Sequence, residues 1–130
     1  MASIFTKIIN GEISSYKIAE NEQFIAILDV FPLVKGHVLV IPKKEVDKIY
    51  DLDRETYSGL MNFAYDIMRA VEKAIPCVRV GMAVVGLEVP HVHVHLVPLN
   101  TMNDINFTQP KLKVSDEEMT GIANQIRLHL

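Results

Sequence analysis

The segment Pro90-His91-Val92-His93-Val94-His95-Leu96-Val97 constrains this chain more than any other part of it. Imidazole and aliphatic side chains alternate, and alternation is the period of a β-strand, whose successive side chains leave opposite faces. A strand is therefore expected over 89–97, with Pro90 at its beginning, where proline is tolerated. His91, His93 and His95 then share one face, spaced by roughly 6–7 Å. Val92, Val94 and Leu96 take the other, toward a core. A tight turn at Gly86 separates this strand from a preceding one over 78–85.

The rest of the chain supplies partners for such a strand. Residues 4–9 read as a short amphipathic turn of helix before the turn signal Asn10-Gly11. Residues 16–20 and 23–29 read as two strands, and Phe24-Ile25-Ala26-Ile27-Leu28 is apolar on both faces, the pattern of a central strand. Phe31-Pro32 ends it. A third strand runs over 36–42, bounded by Gly36 and Pro42. Asp53 then caps the clearest helix, in which Tyr57, Leu60, Met61, Ala64, Met68 and Val71 recur at three- and four-residue steps. Pro76 lies just past its end. After Pro98 the chain is polar and irregular to about residue 114. Ser115-Asp116-Glu117-Glu118 opens a last helix, about 115–129, with Met119, Ile122, Ala123 and Ile126 as its apolar stripe. Strands and helices do not alternate, so the expectation is an α+β domain, 1–130, with a mainly antiparallel sheet.

Composition narrows the class of partner. At 130 residues, 49% hydrophobic and 22% charged, the chain has the profile of one ordinary globular domain that can bury a core without disulfides or structural metal. The single cysteine, Cys77, lies in an apolar stretch and is expected to be a buried thiol. A net charge of −3 and a pI near 5.9 argue against nucleic acid, whose binders carry a concentrated basic footprint, and only Lys43-Lys44 is a basic pair. A small anionic ligand remains compatible. No apolar run is long enough for a membrane span, and Lys7 and Asn10 interrupt the N-terminal apolar residues too early for a signal peptide. A cytoplasmic protein is expected.

Imidazole serves as nucleophile, general acid or base, donor to phosphate, or metal ligand. For three histidines on one strand face, three readings compete. One is a polar face that happens to be histidine. A second is a zinc site, which normally recruits a further ligand that no obvious downstream motif provides. The third is phosphate chemistry.

The run resembles the signature of the histidine triad family, three histidines separated and followed by hydrophobic residues. Ser3-Ile4-Phe5-Thr6-Lys7-Ile8-Ile9-Asn10-Gly11-Glu12-Ile13 is similar to the family's opening. Ala26-Ile27-Leu28-Asp29-Val30-Phe31-Pro32 and Gly36-His37-Val38-Leu39-Val40-Ile41-Pro42-Lys43-Lys44 are similar to its middle, in the family's order and spacing. The likeness covers roughly 3–98. It implies an antiparallel sheet of about five strands with one long helix, here followed by a C-terminal helix, and a homodimer. It also implies metal-independent hydrolysis of nucleoside 5′-phosphoramidates or related conjugates of a purine nucleoside monophosphate. On that resemblance His93 attacks the α-phosphorus to form a covalent nucleotidyl-histidine. His95 donates to the phosphate oxygens, and His91 and His37 fix the tautomers of the network. Asp29 accepts from the ribose hydroxyls. Phe5, Ile8, Ile27 and Val30 match positions that sandwich the base, and Leu28, Gly86, Leu87 and Glu88 fall among the nucleotide contacts.

Two departures qualify what the resemblance implies. Some family members hold a structural zinc through two cysteines near the N-terminus and two histidines. Here Ser3 and Thr6 stand at the cysteine positions and Glu45 at a histidine position, so no structural zinc or other cofactor is expected. The turn before the triad often reads Ala-Gly-Gln and then a small polar residue, where this chain has Val85-Gly86-Leu87-Glu88. Leu87 removes a hydrogen-bonding group near the phosphate, and Glu88 brings a carboxylate that repels it. The upstream Asn-x-Gly is also replaced, by Arg79-Val80-Gly81-Met82-Ala83. The alternative to an enzyme is accordingly a nucleotide-binding regulatory module with little turnover. A hydrolase using the histidines as metal ligands is the third reading.

Overall fold

Five strands pair in a single antiparallel sheet in the computed structural model, which describes residues 2–130. They are β1 (Lys17–Glu20), β2 (Phe24–Leu28), β3 (Val38–Pro42), β4 (Arg79–Ala83) and β5 (Val94–Leu99), in the spatial order β1-β2-β3-β5-β4. The helices are α1 (Ile4–Ile9), α2 (Arg54–Ala74), which fills the connection from β3 to β4, and α3 (Asp116–Arg127). The α+β architecture is as the element order implies.

Parity along the strands sorts side chains between the two faces. Ile18, Phe24, Ala26, Leu28, Val38, Val40, Val94 and Leu96 join the core beneath α2 and α3. Ile25, Ile27, Leu39 and Ile41 form a smaller cluster on the other side with Phe5 from α1. All five residues of β2 are buried, Phe24, Ala26 and Leu28 in the helix-side core and Ile25 and Ile27 in the cluster with Phe5, so both of its faces are covered, as its unbroken apolar run requires.

The side chains of Asp53 and Ser115 cap α2 and α3 by accepting from the Thr56 and Glu118 N–H groups. Ile75, held extended before Pro76, ends α2. The buried stripe of α2 is Leu60, Ala64, Ile67, Ala70 and Val71. This corrects the expected one: Tyr57 is exposed, and Met61 and Met68 sit at the edge of the core. The helix turns its Gly59 side onto β2, where a Cβ would lie 3.0 Å from the Phe24 ring, and this rotation brings Ile67 and Ala70 inward. The stripe of α3 is Met119, Ala123 and Ile126, with Ile122 half-buried beside it. Tyr16 donates to Asp116 across 2.5 Å and Arg127 donates to the Lys17 carbonyl, which ties α3 to β1 and the residue before it.

The strand that carries the histidines departs from expectation at both ends. It begins at Val94 rather than at 89, so His91 and His93 precede the ladder. The register Val40↔Val94 places Pro42 opposite Val92, and proline has no N–H to offer. The Val92 carbonyl therefore has no ladder donor there, the Pro42 carbonyl is taken by the His91 ring, and the Val92 N–H donates to the Val46 carbonyl, at 2.8 Å. At the other end β5 runs through Pro98 to Leu99. Its pairing with β3 stops at Leu96, which leaves Pro98 facing β4 alone, and there proline is tolerated. Strand β4 is likewise shorter than expected, and Cys77 is half-buried rather than enclosed.

Candidate active site

The open face of the sheet carries a cavity of about 890 Å³ beside α1. His37, on the residue before β3, reaches it with the parity of Leu39. His93 and His95 reach it from β5 and its approach. His93 and His95 stack edge to face with ring centroids 4.8 Å apart, and Phe5 meets the His93 ring at 4.8 Å. Phe5, Ile8, Ile27, Leu28, Asp29, Val30, Gly86, Leu87 and Glu88 all border the cavity. The Leu28 side chain, however, packs into the helix-side core. Gly86 turns the chain there with φ +71°, a conformation that costs glycine little.

His91 is the exception among the sequence-derived site residues. It is wholly buried and does not border the cavity. One ring nitrogen, Nε2, lies 2.8 Å from the Pro42 carbonyl, and the other, Nδ1, lies 2.7 Å from the Ser3 hydroxyl. Its main-chain carbonyl takes a hydrogen bond from His93 Nδ1 at 2.7 Å. His91 thus stands behind the site and acts on it through its backbone.

The hydrogen bonds assign the tautomers. A neutral imidazole has one donor and one acceptor nitrogen. Because His93 Nδ1 donates to a carbonyl, its Nε2 keeps the lone pair. The Leu33 N–H donates to His37 Nδ1 at 3.0 Å, so His37 Nε2 carries a proton and donates it to His95 Nδ1 at 2.9 Å. His95 Nε2 is then left with a hydrogen to give. Two adjacent histidines are therefore prepared in opposite senses, one as nucleophile and one as donor. Burial keeps them neutral. It lowers the His37 pKa from 6.5 to about 3, helped by the charges of His95, Lys111 and His93. It lowers that of His95 to about 4, helped by His93 and Lys111, and it lowers that of His93 as well. Burial also raises the pKa of Asp29, against the opposing hydrogen bond from the Phe31 N–H.

Two groups of donors bear on metal binding. Asp29, His37 and His95 each bring one donor atom within 4.8 Å of the others. A cation there would need the nitrogen of His37 that carries its proton, because Leu33 already occupies the lone pair on the other. The second group is Ser3, Thr6, Glu45 and His91. Glu45 accepts from the Ser3 N–H at 2.7 Å and the Thr6 hydroxyl at 2.6 Å, and these contacts hold its pKa down near 2. The Ser3 hydroxyl serves His91 and accepts the Thr6 N–H, capping α1. These polar groups satisfy one another, and hydroxyls are poor zinc ligands beside thiolates. Neither set fits a bound metal.

Sequence reasoning missed the segment from Phe107 to Lys111. It returns across the sheet after β5 and borders the cavity, with the Phe107 ring 4.7 Å from His95. Its only sequence signals are one aromatic, Phe107, and one cation, Lys111, in a stretch without periodic pattern.

The fold and the site define an α+β protein whose antiparallel sheet carries a histidine-lined cavity on the side opposite α2 and α3. Comparison with known proteins gives the family. Residues 10–102 match the HIT domain, and the chain belongs to the histidine triad, or HIT, family. It is 30% identical to the adenosine 5′-monophosphoramidase hnt1 of Schizosaccharomyces pombe, over 97% of this chain and 96% of that one. Its fold matches a Hit-like protein from Bartonella henselae with a TM-score of 0.86 and 29% identity, over 98% of this chain and 96% of that one. It matches a zinc-bound histidine triad protein from Mycobacterium smegmatis with a TM-score of 0.80 and 26% identity, over 99% and 93%.

Proposed function

We propose that this chain hydrolyses nucleoside 5′-phosphoramidates, or related conjugates of a purine nucleoside monophosphate, through a covalent intermediate on His93. The observation that carries the reading is the opposed preparation of His93 Nε2 and His95 Nε2 at the wall of one cavity. The adenosine 5′-monophosphoramidase activity named for the fission-yeast relative supports the substrate class. His93 Nε2 attacks the α-phosphorus, and the bond to the leaving nitrogen breaks with its electron pair on that nitrogen, which takes a proton from solvent and departs as the amine; the water of the second step returns a proton to solvent. His95 donates to a phosphate oxygen as negative charge grows there. Water then attacks the same phosphorus, the monophosphate leaves, and His93 regains its lone pair. Asp29 accepts from the ribose hydroxyls, and Phe5, Ile8, Ile27 and Val30 enclose the base. His37 orients His95, and His91 orients His93. Gly86, Leu87 and Glu88 flank the leaving group.

No metal enters this scheme, and we take the chain to hold no structural zinc, because Ser3, Thr6 and Glu45 already bond to one another and to His91 and hydroxyls are poor ligands for that ion. We also take the working form to be a homodimer. Strand β4 is an edge, and Met82, Val84 and Val85 are exposed on it and beside it, a feature that sheets normally cover. Among the described residues no helix is long and apolar enough to cross a membrane, and the single cysteine, Cys77, suits the cytoplasm.

The test is hydrolysis of a fluorogenic adenosine phosphoramidate by wild type and His93→Ala, with and without chelator. Turnover by wild type that is lost in His93→Ala and indifferent to chelator supports the scheme. Activity that survives the substitution removes His93 from its role. Tight binding of adenosine monophosphate by wild type without turnover would favour the regulatory alternative, for which Leu87 and Glu88 are the grounds.

A further inference from the structure

The charges around the cavity do not balance for the ligand it is proposed to take. The formally charged side chains on its wall are Asp29, Glu88 and Lys111, together with the neutral imidazoles of His37, His93 and His95. Among the described residues, a nucleoside monophosphate therefore meets two carboxylates and one permanent cation. Leu87 contributes no hydrogen bond to offset them. Lys111 is also fixed. Its ammonium donates to the Phe107 carbonyl at 2.7 Å and the Gln109 carbonyl at 3.3 Å, which uses two of its three hydrogens. The segment it folds is pinned at one end by Phe107 against His95. At the other end the Leu112 N–H donates to the Pro32 carbonyl at 2.9 Å, next to Phe31 at the cavity wall. Its charge reaches Asp29, His37 and His95.

We propose that Lys111, on the segment that returns over the cavity after β5, receives the phosphate of the ligand and sets the preference of the site for phosphorylated over unphosphorylated nucleosides. The proposal rests on the nucleotide reading above. It gives the last 30 residues a part in the site: the polar stretch after β5 supplies the positive charge that the turn before the histidines lacks. The third ammonium hydrogen is the one available to a phosphate oxygen, and such charge-assisted bonds are among the stronger ones a site can make. A nucleoside without phosphate gains nothing from it.

Calorimetric titration of adenosine 5′-monophosphate and of adenosine into wild type, Lys111→Met and Lys111→Arg separates the possibilities. Lys111→Met is expected to weaken the monophosphate by about tenfold or more while adenosine binding changes little, and Lys111→Arg to recover most of the loss. Unchanged monophosphate affinity in Lys111→Met would overturn the proposal. So would a parallel loss for both ligands, which would mark Lys111 as a clasp for the segment alone. A wild type that binds neither ligand is a different result: it removes the nucleotide reading itself, and the proposal with it.

Discussion

On the helix side of the sheet, Ala26, Val38, Val40, Val94 and Leu96 are wholly buried beneath α2 and α3. On the opposite side, Ile25, Ile27, Leu39 and Ile41 have the six-residue α1 and its Phe5 above them, and the space beside it is cavity. The two faces are made of alternate residues on the same strands. Strand β5 and its approach give Val92, Val94 and Leu96 to the first face and His93 and His95 to the second. One face is closed by packing, with roughly 1.5–3 kcal/mol gained for each large aliphatic side chain buried. The other is packed over a smaller area, by Ile25, Ile27, Leu39 and Ile41 against Phe5, and around the histidines it is held by hydrogen bonds among imidazoles, hydroxyls and carbonyls, at modest net gain. Stability and chemistry are thus separated by a single step along the chain.

Near neighbours on β5 and its approach give the strongest test of that separation. His93→Ala is expected to lower turnover by at least about a thousandfold, with a stability change near the ~1 kcal/mol of one lost hydrogen bond. Leu96→Ala, three residues on, is expected to cost about 2–5 kcal/mol in denaturant unfolding and to leave KM for the fluorogenic substrate close to wild type. If Leu96→Ala silenced the enzyme while its unfolding midpoint held, the faces would not be independent.

The sequence already contained the closed face. The helix caps Asp53 and Ser115, the apolar run of β2 and the alternation at the histidines are local signals, and local signals set local structure. The stripe of α2 was less legible because three- and four-residue steps fit two neighbouring rotations, and the Gly59 contact with Phe24 decides between them. The late start of β5 depends on Pro42 lying across from Val92, a pairing fixed only by the register. Phe107 and Lys111 were illegible for a similar reason: an aperiodic stretch reveals no destination until the sheet it crosses exists. His91 showed its alternation but not its place behind the site, which follows from the length and capping of α1.

The second test reads the open face by pH. His37 and His95 have pKa values of about 3 and 4 in the folded protein, and that of His93 is lowered too. In the unfolded chain they return to about 6.5. Below that pH the unfolded state binds more protons, so the stability these groups contribute is complete above pH 6.5 and is lost as the pH falls, toward about 4 for His95 and about 3 for His37. Each contributes at most about 1.4 kcal/mol per pH unit in that window. Asp29, with its raised pKa, works in the opposite direction. Most carboxylates titrate lower, so the interval from pH 6.5 to 5 isolates the histidines. Tm should fall across it. A flat Tm there would mean that the imidazoles are hydrated and that the face is not closed as described.

The smallest expected effect belongs to Ser3, where the open face is joined to α1. Its hydroxyl accepts the Thr6 N–H at 3.0 Å, and it lies 2.7 Å from His91 Nδ1. His91 Nε2 faces the Pro42 carbonyl, an acceptor, and so donates to it, while the Ser3 hydroxyl is the partner of Nδ1. Ser3→Ala removes the cap and leaves a buried ring nitrogen without a partner, a loss of about 1–2 kcal/mol. The main-chain bond from Ser3 to Glu45 and the bond from His91 to Pro42 survive, so the His91 carbonyl still faces His93. Turnover should therefore drop only severalfold, in kcat and not in KM, and Ser3→Thr should restore both stability and rate. Thermal unfolding and steady-state kinetics of the two variants check this. A fall in kcat as deep as that of His93→Ala would show that the histidine network is organised from α1, and that packing and chemistry meet at this hydroxyl rather than dividing at the sheet.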